Sequence, residues 1–93
     1  SGAEKTMGDF VAKHFPDGPD GPMDRFPKKE KRKIIVMIQV LKRFDPERRY
    51  TQKEVNAVLD TATDDHATLC RFMVDYGFLG RTRDGAEYWV ETR

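Results

Sequence analysis

Apolar residues recur at three- and four-residue spacing in three stretches of the chain, which predicts three helices. The first helix is predicted to start after Pro27, because proline suits a first helical turn, and to run to about Phe44. The dipeptide Asp45-Pro46 ends it, since the residue before a proline avoids helical geometry. Its expected core stripe consists of Ile34, Met37, Ile38, Leu41 and Phe44.

A short strand over residues 48–51 is predicted to lead into the second helix. Thr51 and Glu54 have the T-x-x-E spacing of a capping box, and Tyr50 and Val55 flank it as a hydrophobic staple. The second helix is expected to end near Asp60. Its predicted buried residues are Val55, Val58 and Leu59.

The third helix is predicted to start at Thr63 or Asp64, either of which can cap it. Gly77 supplies a left-handed stop, after which Phe78 can pack back on Met73. The expected inward stripe is Leu69, Met73 and Tyr76, joined by Cys70 or Phe72.

Residues 78–90 are predicted to form a β-hairpin. Asp84-Gly85 is the preferred pair for a two-residue type I′ turn. That turn pairs Leu79 with Val90, Gly80 with Trp89 and Arg81 with Tyr88. The order helix, short strand, helix, helix, hairpin predicts an α+β winged helix.

Residues 1–24 are predicted to form a flexible N-terminal arm, and residues 25–93 the domain. The repeated turn-forming triplet in "DGPDGP" (17–22) disfavours helix and strand. Within the arm, a short helix over residues 9–15 is expected, with Asp9 as its cap. One side of that helix would carry Phe10, Val11, His14 and Phe15.

Charge is distributed unevenly along the chain, although the net charge is only +1. Residues 25–49 carry ten Lys/Arg against three acids, whereas residues 1–24 and 50–80 are each net negative. An anionic partner is therefore expected to bind residues 25–49. The chain has no apolar run long enough for a membrane span, and its single cysteine suits a reducing cytoplasm, so we expect a cytoplasmic protein.

The segments "RRYTQKEVNAVL", "DDHATLCRFMVDYGFLGR", "DG" and "YW" resemble a small prokaryotic family of unknown function. Members of that family occur alone or attached to helix-turn-helix transcription regulators. The resemblance covers roughly residues 25–90 and implies a winged-helix-like fold and a link to transcription. The family usually has Arg where this chain has Cys70, so one basic side chain is missing from the third helix.

The segment "KKEKRK" (28–33) places five cations at the start of the first helix, where the helix dipole disfavours positive charge. Phosphate binding would explain this pattern, and a solvated charged face is the plainer interpretation. This segment lacks aromatic neighbours for stacking, which disfavours single-stranded nucleic acid. The predicted phosphate-binding residues are Lys28, Lys29, Lys31, Arg32, Lys33, Arg48, Arg49, Arg81 and Arg83.

The third helix is the one that reads DNA in a winged helix, and Thr68 and Arg71 on its outer face are the predicted base-reading residues. Asp65 and Asp75 on the same face would repel phosphates, although Asp65 suits the first turn of a helix. We therefore predict a double-stranded DNA-binding module of a prokaryotic transcription regulator. It would act as a homodimer or as part of a larger regulator.

The alternative function is a protein-interaction module that uses the acidic third helix and the wing, because fold alone does not decide between these uses. His66 and Cys70 share a helix face, but two ligands do not complete a zinc site, so no metal is predicted. No nucleophile with an orienting partner is evident, and no cofactor motif. The chain is therefore not expected to be an enzyme.

Overall fold

The computed structural model describes residues 6–92, and the first five residues of the predicted arm and Arg93 lie outside them. Within this range the chain is a small α+β domain. It forms helices α1 (Met7–His14), α2 (Glu30–Leu41), α3 (Gln52–Asp60) and α4 (His66–Asp75), and strands β1 (Arg49–Tyr50), β2 (Leu79–Arg81) and β3 (Tyr88–Val90). The predicted order of elements, from the first long helix α2 to the hairpin, is confirmed.

The strands form one antiparallel sheet in the order β1-β3-β2. The predicted hairpin register is confirmed, with Leu79 opposite Val90 and Gly80 opposite Trp89. A Cβ built on Gly80 would clash with Nε1 of Trp89, because the indole lies directly against the glycine. Strand β1 adds to the hairpin by pairing with β3.

The turn of this hairpin differs from the predicted type I′ turn. That turn requires positive φ at both central residues, and among the described residues no side-chain-bearing residue has positive φ. Instead, the Gly85 N–H donates to the Thr82 carbonyl, and the Asp84 carboxylate accepts from the Ala86 N–H and the Thr82 hydroxyl. Side-chain hydrogen bonds of Asp84 thus favour a longer loop, while the strand register stays the same.

Helix α3 begins as predicted. The Thr51 hydroxyl accepts from the Glu54 N–H at 3.1 Å, and the Glu54 carboxylate accepts from the Thr51 N–H at 2.9 Å. The latter bond holds the pKa of Glu54 below its usual value. Both residues of the predicted staple, Tyr50 and Val55, are buried. The end of the strand and the start of the helix are therefore set locally.

Helix α4 starts slightly later than predicted. Its cap is Asp65, whose carboxylate accepts from the Thr68 N–H, rather than Thr63 or Asp64. Its end is confirmed: Gly77 has φ of 81°, the Gly77 N–H donates to the Val74 carbonyl and the Phe78 N–H to the Met73 carbonyl. This pair of bonds closes the helix and turns the chain into β2.

Helix α2 is shorter than predicted and is rotated relative to the predicted core stripe. Ile34, Ile38 and Leu41 are only half-buried, whereas Val36 and Val40 are fully buried. The run of apolar residues over 34–38 allows two stripes with helical spacing, and the periodicity cannot choose between them. The central residue Met37 belongs to both.

The segment predicted as a flexible arm forms part of the packed structure where it is described. Helix α1 is capped by Thr6 in a capping box with Asp9, rather than by Asp9 alone. Phe15 is only 1% exposed and joins the core cluster. The guanidinium of Arg43 stabilises the loop between α1 and α2 by donating hydrogen bonds to the carbonyls of Pro19 and Gly21. These contacts join residues distant in sequence, so local composition does not indicate them.

The core lies between α2, α3, α4 and the inner face of the sheet. Fully buried side chains include Val36, Met37, Val40, Val55, Leu59 and Met73. Over residues 6–92, every helix is too short or too polar to cross a bilayer.

Replacing Gly77 by Val is expected to destabilise the domain by about 1–3 kcal/mol, because a β-branched residue resists positive φ. A Cβ at this position would meet no atom within 4 Å, so the loss would come from the backbone and not from a clash. Urea denaturation measures the change. The matched control is Gly77→Asn, since Asn adopts left-handed geometry more readily; equal stability of the two variants would contradict this account of the helix stop.

Replacing Phe15 by Ala is expected to lower the free energy of unfolding by about 3–5 kcal/mol, the usual loss for a buried aromatic ring. The same urea experiment applies, with Met7→Ala as the control because Met7 is 52% exposed. A Phe15→Ala protein as stable as the parent would show that the N-terminal segment does not pack on the domain in solution.

Candidate nucleic-acid interface

The basic cluster, defined as Lys28, Lys29, Lys31, Arg32 and Lys33, lies at the start of α2. Its first three lysines are exposed. The guanidinium of Arg32 lies 5.4 Å from the ring centroid of Phe10, and Nζ of Lys33 lies 5.0 Å from that of Phe72. The expectation that the cluster has no aromatic neighbours was therefore wrong, because helices α1 and α4 supply the rings.

The start of α2 lies along one side of α4. Phe26, just before α2, stacks on Phe72 of α4 with ring centroids 5.2 Å apart. The Tyr76 hydroxyl donates to the Glu30 carboxylate at 2.6 Å, and this bond raises the pKa of Tyr76. Tyr76 thus lies against α2 rather than within the core, and the basic cluster borders α4.

The outer face of α4 carries the residues predicted for it: Asp65, Thr68, Arg71 and Asp75 are all exposed. Within residues 6–92, no side-chain hydrogen bond or ion pair engages the Arg71 side chain, so its guanidinium is available to bind a partner. Asp65 accepts hydrogen bonds from Thr68, which lower the pKa of its carboxyl. This aspartate is therefore the helix cap, and its charge has a structural role.

A groove of about 370 Å³ separates α3, α4 and the hairpin. Arg71 of α4 and Arg81 of β2 both line it, so the helix and the hairpin present cations to the same space. The Tyr88 hydroxyl donates to the Gln52 side-chain carbonyl within this lining. The sequence pattern assigns no functional role to Gln52 or Tyr88, because only folding brings them beside Arg71. Arg83 is exposed in the hairpin loop.

Arg48 and Arg49 lie apart from the basic cluster. They follow the far end of α2, whose 12 residues span about 18 Å at the usual helical rise. Arg48 pairs with Glu54 at 2.5 Å, and Arg49 with Glu87 at 3.7 Å while its guanidinium lies over Trp89. Both arginines thus face carboxylates of the domain itself.

His66 and Cys70 have separate surroundings, although both border the groove. Nδ1 of His66 lies 2.6 Å from the Asp60 carboxylate. The Cys70 side chain is buried, and burial raises the pKa of its thiol, which disfavours the reactive thiolate. In the part of the chain that the structure describes, no three His, Cys, Asp or Glu side chains are grouped to hold a metal ion.

Comparison with known proteins places the chain in a family without assigning it an activity. No curated protein matches it, and no solved structure matches it. A bacterial family matches residues 22–90, from the loop before α2 to the end of β3. The chain therefore belongs to the family described as "uncharacterized protein conserved in bacteria", DUF2087.

Proposed function

We propose that the domain is a winged helix and that it binds double-stranded DNA as part of a prokaryotic transcription regulator. The order of α2, β1, α3, α4 and the β2–β3 hairpin supports this assignment, as does the pairing of β1 with β3. In such a domain, α4 enters the major groove and the hairpin is the wing.

The observation that carries the proposal is the proximity of Lys33 to Phe72. Because Nζ of Lys33 lies 5.0 Å from the centroid of the Phe72 ring, the basic cluster is next to α4 and not behind it. Cations beside the outer face of α4 can bind the phosphates that flank the major groove while α4 lies within it. A basic cluster on the opposite side of the domain could not bind these phosphates while α4 lies in the major groove.

The proposed role of each residue follows from the exposure of its side chain and from whether an acidic side chain already pairs with it. Thr68 and Arg71 would contact base edges, with Arg71 suited to guanine through two parallel hydrogen bonds. Lys28, Lys29 and Lys31 would bind phosphates, and Arg83 would do so from the wing. Arg48 and Arg49 contribute less, because Glu54 and Glu87 already neutralise them.

The acidic residues of α4 limit the affinity of a single domain. Asp65 caps the helix and Asp60 pairs with His66, but Asp64 and Asp75 remain exposed at its two ends. Repulsion from these carboxylates makes binding by one domain weak and dependent on salt. A second copy, or a larger regulator that contains the domain, would supply the missing affinity and specificity.

The alternative, a protein-interaction module, would be favoured by an exposed apolar patch on α4. Phe72 and Val74 are the residues that could form it, and both are half-buried, with Phe72 covered by Phe26 and Lys33. Phe72 is thus covered, and Val74 lies half-buried in the lining of the groove, so the two do not form an exposed apolar patch, which supports DNA over a protein partner.

Replacing Arg71 by Ala is expected to relax sequence preference while leaving non-specific binding nearly unchanged. A good bidentate contact to one base is worth about 1–3 kcal/mol of discrimination. The measurement is selection from a pool of randomised duplexes, together with fluorescence anisotropy on one mixed-sequence duplex. Lys53→Ala, an exposed change on α3, is the control; an unchanged selected sequence for Arg71→Ala would remove this residue from base reading.

Reversing the charge of Lys29 and Lys31 to Glu is expected to make log affinity less dependent on log salt. The slope should fall by about 0.9 for each phosphate that the variant no longer neutralises. Acidic side chains suit the first turn of a helix, so unfolding would not explain weaker binding. The same reversal at Lys42 and Lys53, both exposed, is the matched control. If neither variant changes the slope, the basic cluster does not bind DNA.

A further inference from the structure

Between the end of α1 and the start of α2, Lys13 and Arg25 join three cations of the basic cluster, Lys28, Lys29 and Arg32. These two ends enclose a pocket of about 390 Å³. The pocket is lined by five cationic side chains and one acidic side chain, with His14, Phe26 and Pro27 completing the wall. The charged residues are Lys13, Asp24, Arg25, Lys28, Lys29 and Arg32. Such a lining attracts a compact anion.

The backbone at one end of the pocket is suited to an anion. The cap residue of α2 is Lys29, and no side chain caps this helix. The N–H groups of its first turn therefore lack the oxygen that Thr6, Thr51 and Asp65 provide at the other described helices. The positive end of the α2 dipole adds to the attraction from the lysines.

His14 is the independent sign of a ligand. It lines the pocket and is only 8% exposed, and its Nε2 is buried without a hydrogen-bond partner in the described chain. Buried polar atoms in folded proteins nearly always have such a partner. Burial and the nearby charges of Arg32 and Lys13 lower the pKa of His14, whereas Asp24 opposes this shift. A bound anion would supply the missing negative charge beside the His14 ring.

The cations of the pocket are available for a ligand. Within residues 6–92, none of the five takes part in a salt bridge, and Arg32 lies over the Phe10 ring instead. The volume exceeds that of one phosphate and falls in the range of small-molecule sites. The Phe26 and Pro27 walls leave an apolar surface for an organic group.

We propose that this pocket binds a phosphate group, held by the first-turn N–H groups of α2, by His14 and by the surrounding cations. The phosphate can belong to a small phosphorylated molecule or to a DNA backbone. The site does not depend on the proposed DNA function, although Lys28, Lys29 and Arg32 would serve both. Lys13, His14 and Arg25 belong to this pocket alone.

The experiment follows the imidazole signals of the two histidines by NMR, with inorganic phosphate and adenosine 5′-monophosphate as probes and adenosine as the uncharged control. Both phosphates should shift the His14 signals saturably. His66, paired with Asp60 elsewhere, is the internal reference and should not move. Equal shifts of both histidines would indicate a general salt effect and would overturn the proposal.

The pH dependence gives a second readout, with sulfate as the probe because it stays doubly charged. The pKa of His14 should rise on saturation with sulfate relative to chloride, since an anion favours the imidazolium. The other charged groups that face His14 in the pocket are those of Lys13, Asp24, Arg25, Lys28, Lys29 and Arg32. A His14 pKa that is the same in both salts would contradict binding beside this ring.

Lys13→Gln and Arg25→Gln each should weaken phosphate binding by about threefold or more, whereas the exposed control Lys53→Gln should not.

A separate NMR titration with a mixed-sequence DNA duplex distinguishes the two sources of the phosphate. If only the duplex shifts His14, the phosphate comes from DNA; if the free phosphates do so, it comes from a small molecule. No response of His14 to either overturns the site, and Arg71 signals in the duplex titration report on the proposed DNA function separately.

Discussion

The burial of α2 is the constraint on which the rest of the domain depends. A chain of this size has little apolar surface, so its central helix must be covered on several sides for the fold to be stable. Val36, Met37 and Val40 lie in one buried cluster with residues of α3, α4 and the sheet, and α1 packs along α2 and adds Phe15 to the same cluster. The N-terminal segment is therefore part of the domain, even though its glycines and prolines suggest a linker.

Covering α2 in this way also determines where the charge lies. The first turn of α2 extends beyond the core, so its lysines reach solvent while Arg32 and Lys33 lie over rings from α1 and α4. Each ring offsets part of the cost of placing cations at the positive end of a helix. The same geometry puts one side of the basic cluster beside α4 and the other beside His14. If both proposed sites bind their ligands, a small phosphorylated molecule and DNA would compete for Lys28 and Lys29.

The sequence by itself determined the features that depend on near neighbours. These are the capping box at Thr51, the left-handed stop at Gly77, the register of the hairpin and the outer face of α4. Each rests on contacts between residues a few positions apart, or on a backbone geometry that one residue type prefers. The exact cap of α4 and the form of the hairpin loop escaped prediction, because Thr63, Asp64 and Asp65 can all act as caps and the Asp84 side chain stabilises a longer loop.

Only the tertiary structure decided which stripe of α2 is buried, since the apolar run over 34–38 offers two and long-range packing selects one. The same holds for the docking of Phe15, the pairing of Arg48 and Arg49 with acids, and the pocket around His14. These contacts join residues far apart in the chain. The energies of these contacts depend on distances and burial in the folded molecule. Neither sequence periodicity nor local propensity gives these quantities.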